Sequence, residues 1–176
     1  LFSTRGSVEP VGLQSMKAKP VTAEAFVTEP KPGQNRVPVI GVRPGLILTF
    51  REEATLAATE TGLQPDLDAD VIKVAVIERH GKNGNIGRAF VTGFGLKRGA
   101  IASSVGHDSH NITVVGANDE DMAVAVNRLI ELGGGFAVAD GGNVQAELAL
   151  PIAGLMSLKS FEDVAHDLHH LRDAAK

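Results

Sequence analysis

The stretch NDEDMAVAVNRLIELGGGFAVADGGNVQAELAL, Asn118 to Leu150, decides the fold class. Its first half has helical spacing. Asn118 can cap the first turn, and Asp119, Glu120 and Asp121 sit where the positive end of the helix dipole favours carboxylates. Met122, Val126, Leu129 and Ile130 fall on one apolar face, and Gly133 supplies the stop. The second half reads as a hairpin, FAVAD and VQAELAL joined through Gly141 and Gly142, with Pro151 closing the last strand. A helix running into a hairpin with no crossover points to an antiparallel α+β arrangement.

Upstream, the same reading gives more strands. VIKVAVIERH (Val71–His80) is a strand of nearly continuous apolar character, expected to be covered on both faces. RAFVTGFGLKRGAIASS reads as strand, turn, strand, and NITVVGA as another strand. RVPVIGVRPGLILTF (Arg36–Phe50) is expected to be a hairpin turning at Arg43-Pro44-Gly45, because proline pre-sets the second turn position and glycine tolerates positive φ at the third. A charged loop is expected from Arg51 to Asp70. Downstream, Ser160 with Asp163 resembles a capping box for a helix over FEDVAHDLHHLRDAAK, with Phe161, Val164, Leu168 and Leu171 as its buried stripe. Residues 1 to about 35, rich in Pro, Gly, Thr and Ser, read as an extended arm or interdomain connection with a short helical possibility at Thr22–Phe26. The expected architecture is therefore an α+β domain over 36–176: mostly antiparallel sheet, at least two packed helices, and an N-terminal arm over 1–35.

Composition bounds the rest. The 176 residues allow one domain with a real core, or one domain plus an arm. A net charge of −4 does not suggest a nucleic-acid partner, which would favour a basic patch. With no cysteine there is neither disulfide nor thiolate metal site, which fits a cytoplasmic protein. No apolar run approaches the roughly 20 residues that span a bilayer. The chain has no Trp or Tyr, so its core rests on tightly packed Val, Ile, Leu and Ala. It opens at Leu1 without an initiator Met, as a piece of a longer protein or an N-terminally processed chain would.

The candidate chemistry concentrates in HDSHN, His107 to Asn111. Asp, Ser and Asn suit a turn for backbone reasons alone, but no turn demands two imidazoles. Neutral imidazoles on one side of a loop can bind metal or move protons, yet two histidines and one carboxylate fall short of a full metal site. His107, Asp108, Ser109, His110 and Asn111 are therefore site candidates, with an unusually polar turn as the competing reading. Glu78 and His80, flanking Arg79 at the end of a strand, are secondary candidates against plain emergence into solvent. GKNGNIG lacks the lysine-hydroxyl ending of a phosphate loop, and Gly93-Phe94-Gly95 lacks the third glycine of a dinucleotide fingerprint, so both read as turns. His166, His169 and His170 on the last helix read as a solvated face.

Taken together, the string from Val76 to Gly135, including GFGLKRGAIASSVGHDSHN and NDEDMAVAVNRLI, closely resembles the C-terminal domain of microbial adenine deaminases, members of the amidohydrolase superfamily. The resemblance runs from about Val37 to the C-terminal helix and includes PIAGLMS, Pro151 to Ser157. It implies hydrolysis of adenine to hypoxanthine and ammonia at a divalent metal, manganese or iron, in a (β/α)8 barrel, where the metal activates a water that attacks C6 of the purine. The barrel's His-x-His metal pair is absent here, so the metal is expected in the parent enzyme and not in this chain. Implied partners are adenine in the parent enzyme, the barrel domain of the same protein, and further copies in a homo-oligomer, with no nucleic acid and no membrane. The HDSHN loop is then expected to close over the barrel's active site. Alternatives are a freestanding small-molecule-binding module, an oligomerisation module, and, last, a self-contained metallohydrolase.

Overall fold

A computed structural model describes residues 9–31, 33 and 35–176; the first eight residues of the expected arm lie outside it. Ten strands and two α-helices follow one another: β1 (Arg36–Gly41), β2 (Phe50–Thr55), β3 (Ala58–Thr59), β4 (Gly62–Leu63), β5 (Ile72–Ile77), β6 (Ile86–Thr92), β7 (Ala100–Ser103), β8 (Ile112–Gly116), α1 (Asp119–Leu132), β9 (Gly135–Asp140), β10 (Asn143–Ala149) and α2 (Phe161–Ala174). Eight strands form one sheet in the order β10-β9-β7-β8-β5-β6-β1-β2, with β3 and β4 as a separate small hairpin. Every neighbouring pair in the large sheet is antiparallel except β1–β6, which is parallel over Val39–Gly41. The expected α+β class, mostly antiparallel with two packed helices, is what the chain adopts.

The decisive stretch folds as its sequence dictates. The Asn118 side chain accepts from the Asp121 amide at 2.8 Å, satisfying one orphan donor of α1, and Gly133 ends the helix in the left-handed region at φ 76°. Met122, Ala125, Val126 and Leu129 are fully buried against Ala75, Ile77, Ala102, Val114 and Ala137, which face them from β5, β7, β8 and β9. Full burial of each larger side chain stabilises by about 1.5–3 kcal/mol. The β9–β10 turn falls at Gly141-Gly142, and their amides donate to the buried carboxylate of Asp121 at 3.3 and 2.8 Å. Helix and hairpin are thereby fixed to each other. At the start of β5 a second tie joins sheet to helix, Lys73 Nζ donating to both carboxylate oxygens of Asp119 at 2.7 and 2.6 Å.

In its described part the arm has little regular structure beyond one 3-10 turn at Ala23–Phe26, and that turn packs on α1. Phe26 enters the main core; Met16, Ala18 and Val21 lie against it. The Asn127 side chain clamps the arm backbone, accepting from the Val21 amide at 2.8 Å and donating to the Val21 carbonyl at 2.9 Å.

Four expectations need correction. The turn at Arg43–Leu46 forms, closed by the Leu46 amide on the Arg43 carbonyl, but the partner strand is FREEAT and not GLILTF. Leu46, Ile47 and Leu48 stay exposed, because the contacts that hold an outer strand here belong to Glu52 and Glu53, paired with Arg43 and Arg36. The expected charged loop Arg51–Asp70 consequently contains β2 and the β3–β4 hairpin, whose Leu63 joins Val39, Leu56, Val71 and Phe90 in a second core. β5 is covered on its α1 face; on the other face Ile72 is buried while Val76 is exposed, because α2 lies over β9 and β10 only. Phe161 is 82 % exposed, and the packed stripe of α2 begins one turn later with Val164, Leu168 and Leu171.

Candidate functional site

One end of the sheet gathers the end of β5, the start of β6, the end of β7 and the start of β8, and with them both groups of candidate residues. HDSHN joins β7 to β8. Its turn closes with the His110 amide donating to the Gly106 carbonyl at 3.0 Å, and Asp108 and His110 both occupy the left-handed region, φ 70° and 47°. Left-handed backbone disfavours side chains with a Cβ, so it persists only where surrounding contacts dictate it.

The loop divides into a presented half and an anchored half. His107 and Asp108 have side chains 97 % and 89 % exposed, and Nδ1 of the imidazole lies 2.7 Å from the carboxylate. That contact orients the ring and leaves its Nε2 free toward solvent. His110 and Asn111 turn inward; Nδ1 of His110 and Oδ1 of Asn111 are closed off from solvent with no hydrogen-bond partner among the described residues. Leaving such groups unpaired costs about 1–3 kcal/mol each.

His80 joins this loop. Its Nε2 lies 2.9 Å from the Ser109 carbonyl, and a carbonyl only accepts, so that nitrogen carries the proton. Glu78 does not join it. Its carboxylate accepts from the amides of His80, Lys82, Asn83 and Gly84 at 2.5–3.2 Å, holding together the turn that GKNGNIG was expected to make. Desolvation pushes the Glu78 carboxyl up, but the amides of Gly84, Asn83, His80 and Lys82 outweigh it and bring the pKa from 4.5 down to about 2. Because the folded value lies below the ordinary one, the stabilisation is fully present above about pH 4.5 and is lost as pH falls toward 2. Glu78→Gln is expected to flatten acid destabilisation in that window. It should also expose the Lys82, Asn83 and Gly84 amides to hydrogen exchange at neutral pH. Unchanged exchange at those amides would refute the assignment.

Arg79, between these two candidates, is the residue whose role the sequence did not reveal. It is 2 % exposed and has no carboxylate within ion-pair distance among the described residues. Burial pushes its pKa below the usual value. Its Nε donates to the His110 carbonyl, Nη2 to the Ala153 carbonyl at 2.8 Å and Nη1 to Ser15 Oγ at 3.3 Å. Ser104, fully buried, completes the base of the site: its Oγ donates to the Gly154 carbonyl and accepts from the Gly135 amide, both at 2.7 Å. PIAGLMS is thus a structural neighbour of HDSHN. His166, His169 and His170 lie exposed on α2, with His169 Nδ1 against the Ala165 carbonyl. Among the described residues no three His, Asp or Glu side chains converge as a metal site would require.

The adenine deaminase C-terminal domain matches residues 46–176 of this sequence. The chain belongs to that family. The match takes in the HDSHN loop, the Glu78–His80 strand end, α1 and PIAGLMS, every element of the site except the arm. Relatives extend the likeness across the arm. Adenine deaminase 1 of Rhizobium etli is 56 % identical over 99 % of this chain, and that of Rhizobium meliloti 58 % over the same share. Adenine deaminase of Brucella abortus is 56 % identical over the whole chain. The chain spans only 30–31 % of the length of these relatives.

Proposed function

We propose that the chain acts as the C-terminal domain of an adenine deaminase, which hydrolyses adenine to hypoxanthine and ammonia, and that its HDSHN loop faces the catalytic centre carried by the rest of that polypeptide. Family membership over most of the chain supports the activity. The observation that carries the site assignment is the loop itself, strained, anchored from beneath, and presenting an oriented His107–Asp108 pair to solvent.

Replacement of the C6 amino group requires water to add, a proton to reach the departing nitrogen, and bulk solvent to be kept from the centre. His107, with Nδ1 engaged by Asp108, offers Nε2 as a hydrogen-bonding group to the purine edge or to the entering water. Ser109 offers a hydroxyl beside it. Among the described residues no three His, Asp or Glu side chains converge, and in this reading manganese or iron belongs to the barrel domain of the same protein. In this reading the complete protein works in the cytoplasm as a homo-oligomer. No described helix is long and apolar enough to cross a membrane.

The test is alanine at His107, Asp108 and His110, singly, in the complete polypeptide with bound metal assayed in parallel. Loss of a positioned proton-transferring or orienting group lowers turnover by about tenfold or more, and metal content should not change. Wild-type turnover in all three variants would sink the site assignment. A second reading, an assembly module, is favoured by the exposed Leu46, Ile47 and Leu48 with Phe94. It predicts that replacing those residues with polar ones changes the particle mass by light scattering, while the HDSHN variants leave turnover intact.

A further inference from the structure

Arg79 stands out as a buried cation for which the described residues supply no anion. A guanidinium withdrawn from water must be solvated by protein dipoles, and here the dipoles are distributed informatively. The described residues include four non-glycine positions with positive φ: Asp70, Asp108, His110 and Ala153. Arg79 donates to the carbonyls of two of them, His110 and Ala153. Its third contact is Ser15 of the arm, and its own carbonyl accepts from the Lys17 amide at 2.7 Å. One planar fork thus joins segments 64, 31 and 74 positions away.

We infer that Arg79 is a positioning residue that holds the HDSHN and PIAGLMS loops in their left-handed conformations and makes the orientation of HDSHN depend on the seating of the arm. The inference deepens, and for its effect on turnover rests on, the reading of HDSHN as an active-site loop. His80 and Ser104 also anchor these loops, at the Ser109 and Gly154 carbonyls, but among the described residues Arg79 alone reaches the carbonyls of His110 and Ala153. The His110 amide bonds only within its own loop, to Gly106, and the Ala153 amide bonds to Gly12 of the same arm at 3.0 Å. Without the guanidinium, each left-handed residue can relax toward ordinary backbone, carrying His107 and Asp108 with it. Lysine cannot replace the fork, since a single ammonium cannot reach three acceptors arranged around a plane.

The experiment compares Arg79→Ala, Arg79→Lys and Ser15→Ala in the complete polypeptide, following amide exchange at His110 and Ala153 with the α1 amides of Val126–Ile130 as the fold control. Arg79→Ala should raise exchange at both loop amides at least tenfold with α1 unchanged, and added guanidinium should reverse it. Arg79→Lys and Ser15→Ala should give smaller increases at the same amides. In the assay, kcat should fall with little change in KM, and guanidinium should restore it in Arg79→Ala. Where Arg79→Ala loses α1 protection as well, Ser15→Ala decides the matter, because it removes one acceptor and no charge. Unchanged exchange at His110 and Ala153 in Ser15→Ala and Arg79→Lys overturns the inference whatever the turnover. Loosened loops with wild-type turnover uphold the clamp and overturn instead the placement of HDSHN at the catalytic centre.

Discussion

Replacing Gly135 by alanine is expected to remove a large share of the chain's folding stability. Gly135 begins β9 at φ +127°, a conformation that L side chains rarely adopt, and a Cβ there would lie 1.8 Å from the Leu148 carbonyl oxygen. That oxygen belongs to the backbone of β10, which pairs with β9 as far as Ala149↔Gly135, so it cannot swing aside as a flexible side chain could. The clash and the φ penalty together cost more than about 4 kcal/mol, against a domain stability of about 5–15 kcal/mol. Gly142 supplies the control, with φ +78° but open space around it. Gly142→Ala should cost about 1–2 kcal/mol, the price of the left-handed conformation alone. Thermal unfolding of the two variants side by side measures the difference. Similar midpoints would mean that β9 and β10 can separate there without loss.

The second large effect is asymmetric. The Lys73 side chain is 3 % exposed and Asp119 14 %, so removing either partner of this bidentate pair has different consequences. Asp119→Ala leaves an ammonium buried under α1 without its anion, which costs about 3–5 kcal/mol. Lys73→Met removes the buried charge and fills similar volume. The remaining Asp119 sits in the first turn of α1, where the helix dipole favours it by about 0.3–1 kcal/mol. Lys73→Met should therefore be several-fold milder, and adding it to Asp119→Ala should recover much of the loss. Urea unfolding of both single variants and the double variant reads this out. If Lys73→Met proves the more damaging, the pair is not stabilising in the way its geometry indicates.

What was legible in the sequence follows how local each cause is. α1 and the β9–β10 hairpin are specified by Asn118, Gly133 and Gly141-Gly142 acting on their own neighbourhoods, and they appear where the spacing puts them. β2 is not specified that way. LILTF has the stronger strand propensity, but FREEAT has the tertiary partners, Arg36 and Arg43 for its glutamates and Thr92 donating to Glu52 at 3.0 Å. Phe161 has the right spacing for the α2 stripe, yet the sequence cannot say where the strand surface beneath it ends. The HDSHN loop was visible because imidazoles carry a signature. Arg79's role was not, because its acceptors are two backbone carbonyls and a serine, and a carbonyl looks the same in every residue. The meeting of His80 with Ser109, across 29 positions, is likewise a product of β5 and β8 being neighbours in the sheet.

The clamp between Asn127 and Val21, 106 positions apart, bears on how the chain is made. The arm leaves the ribosome before α1, and the helix that receives Phe26 is synthesised about 5–20 s later at ordinary elongation rates. Throughout that interval Phe26 and Val21 have no native surface to cover them. β1 likewise waits for β6 before gaining its inner neighbour. The arm therefore completes the domain late although it is made early, and the site end of the sheet, which Ser15 and Lys17 help to close, is among the last parts to acquire its final shape.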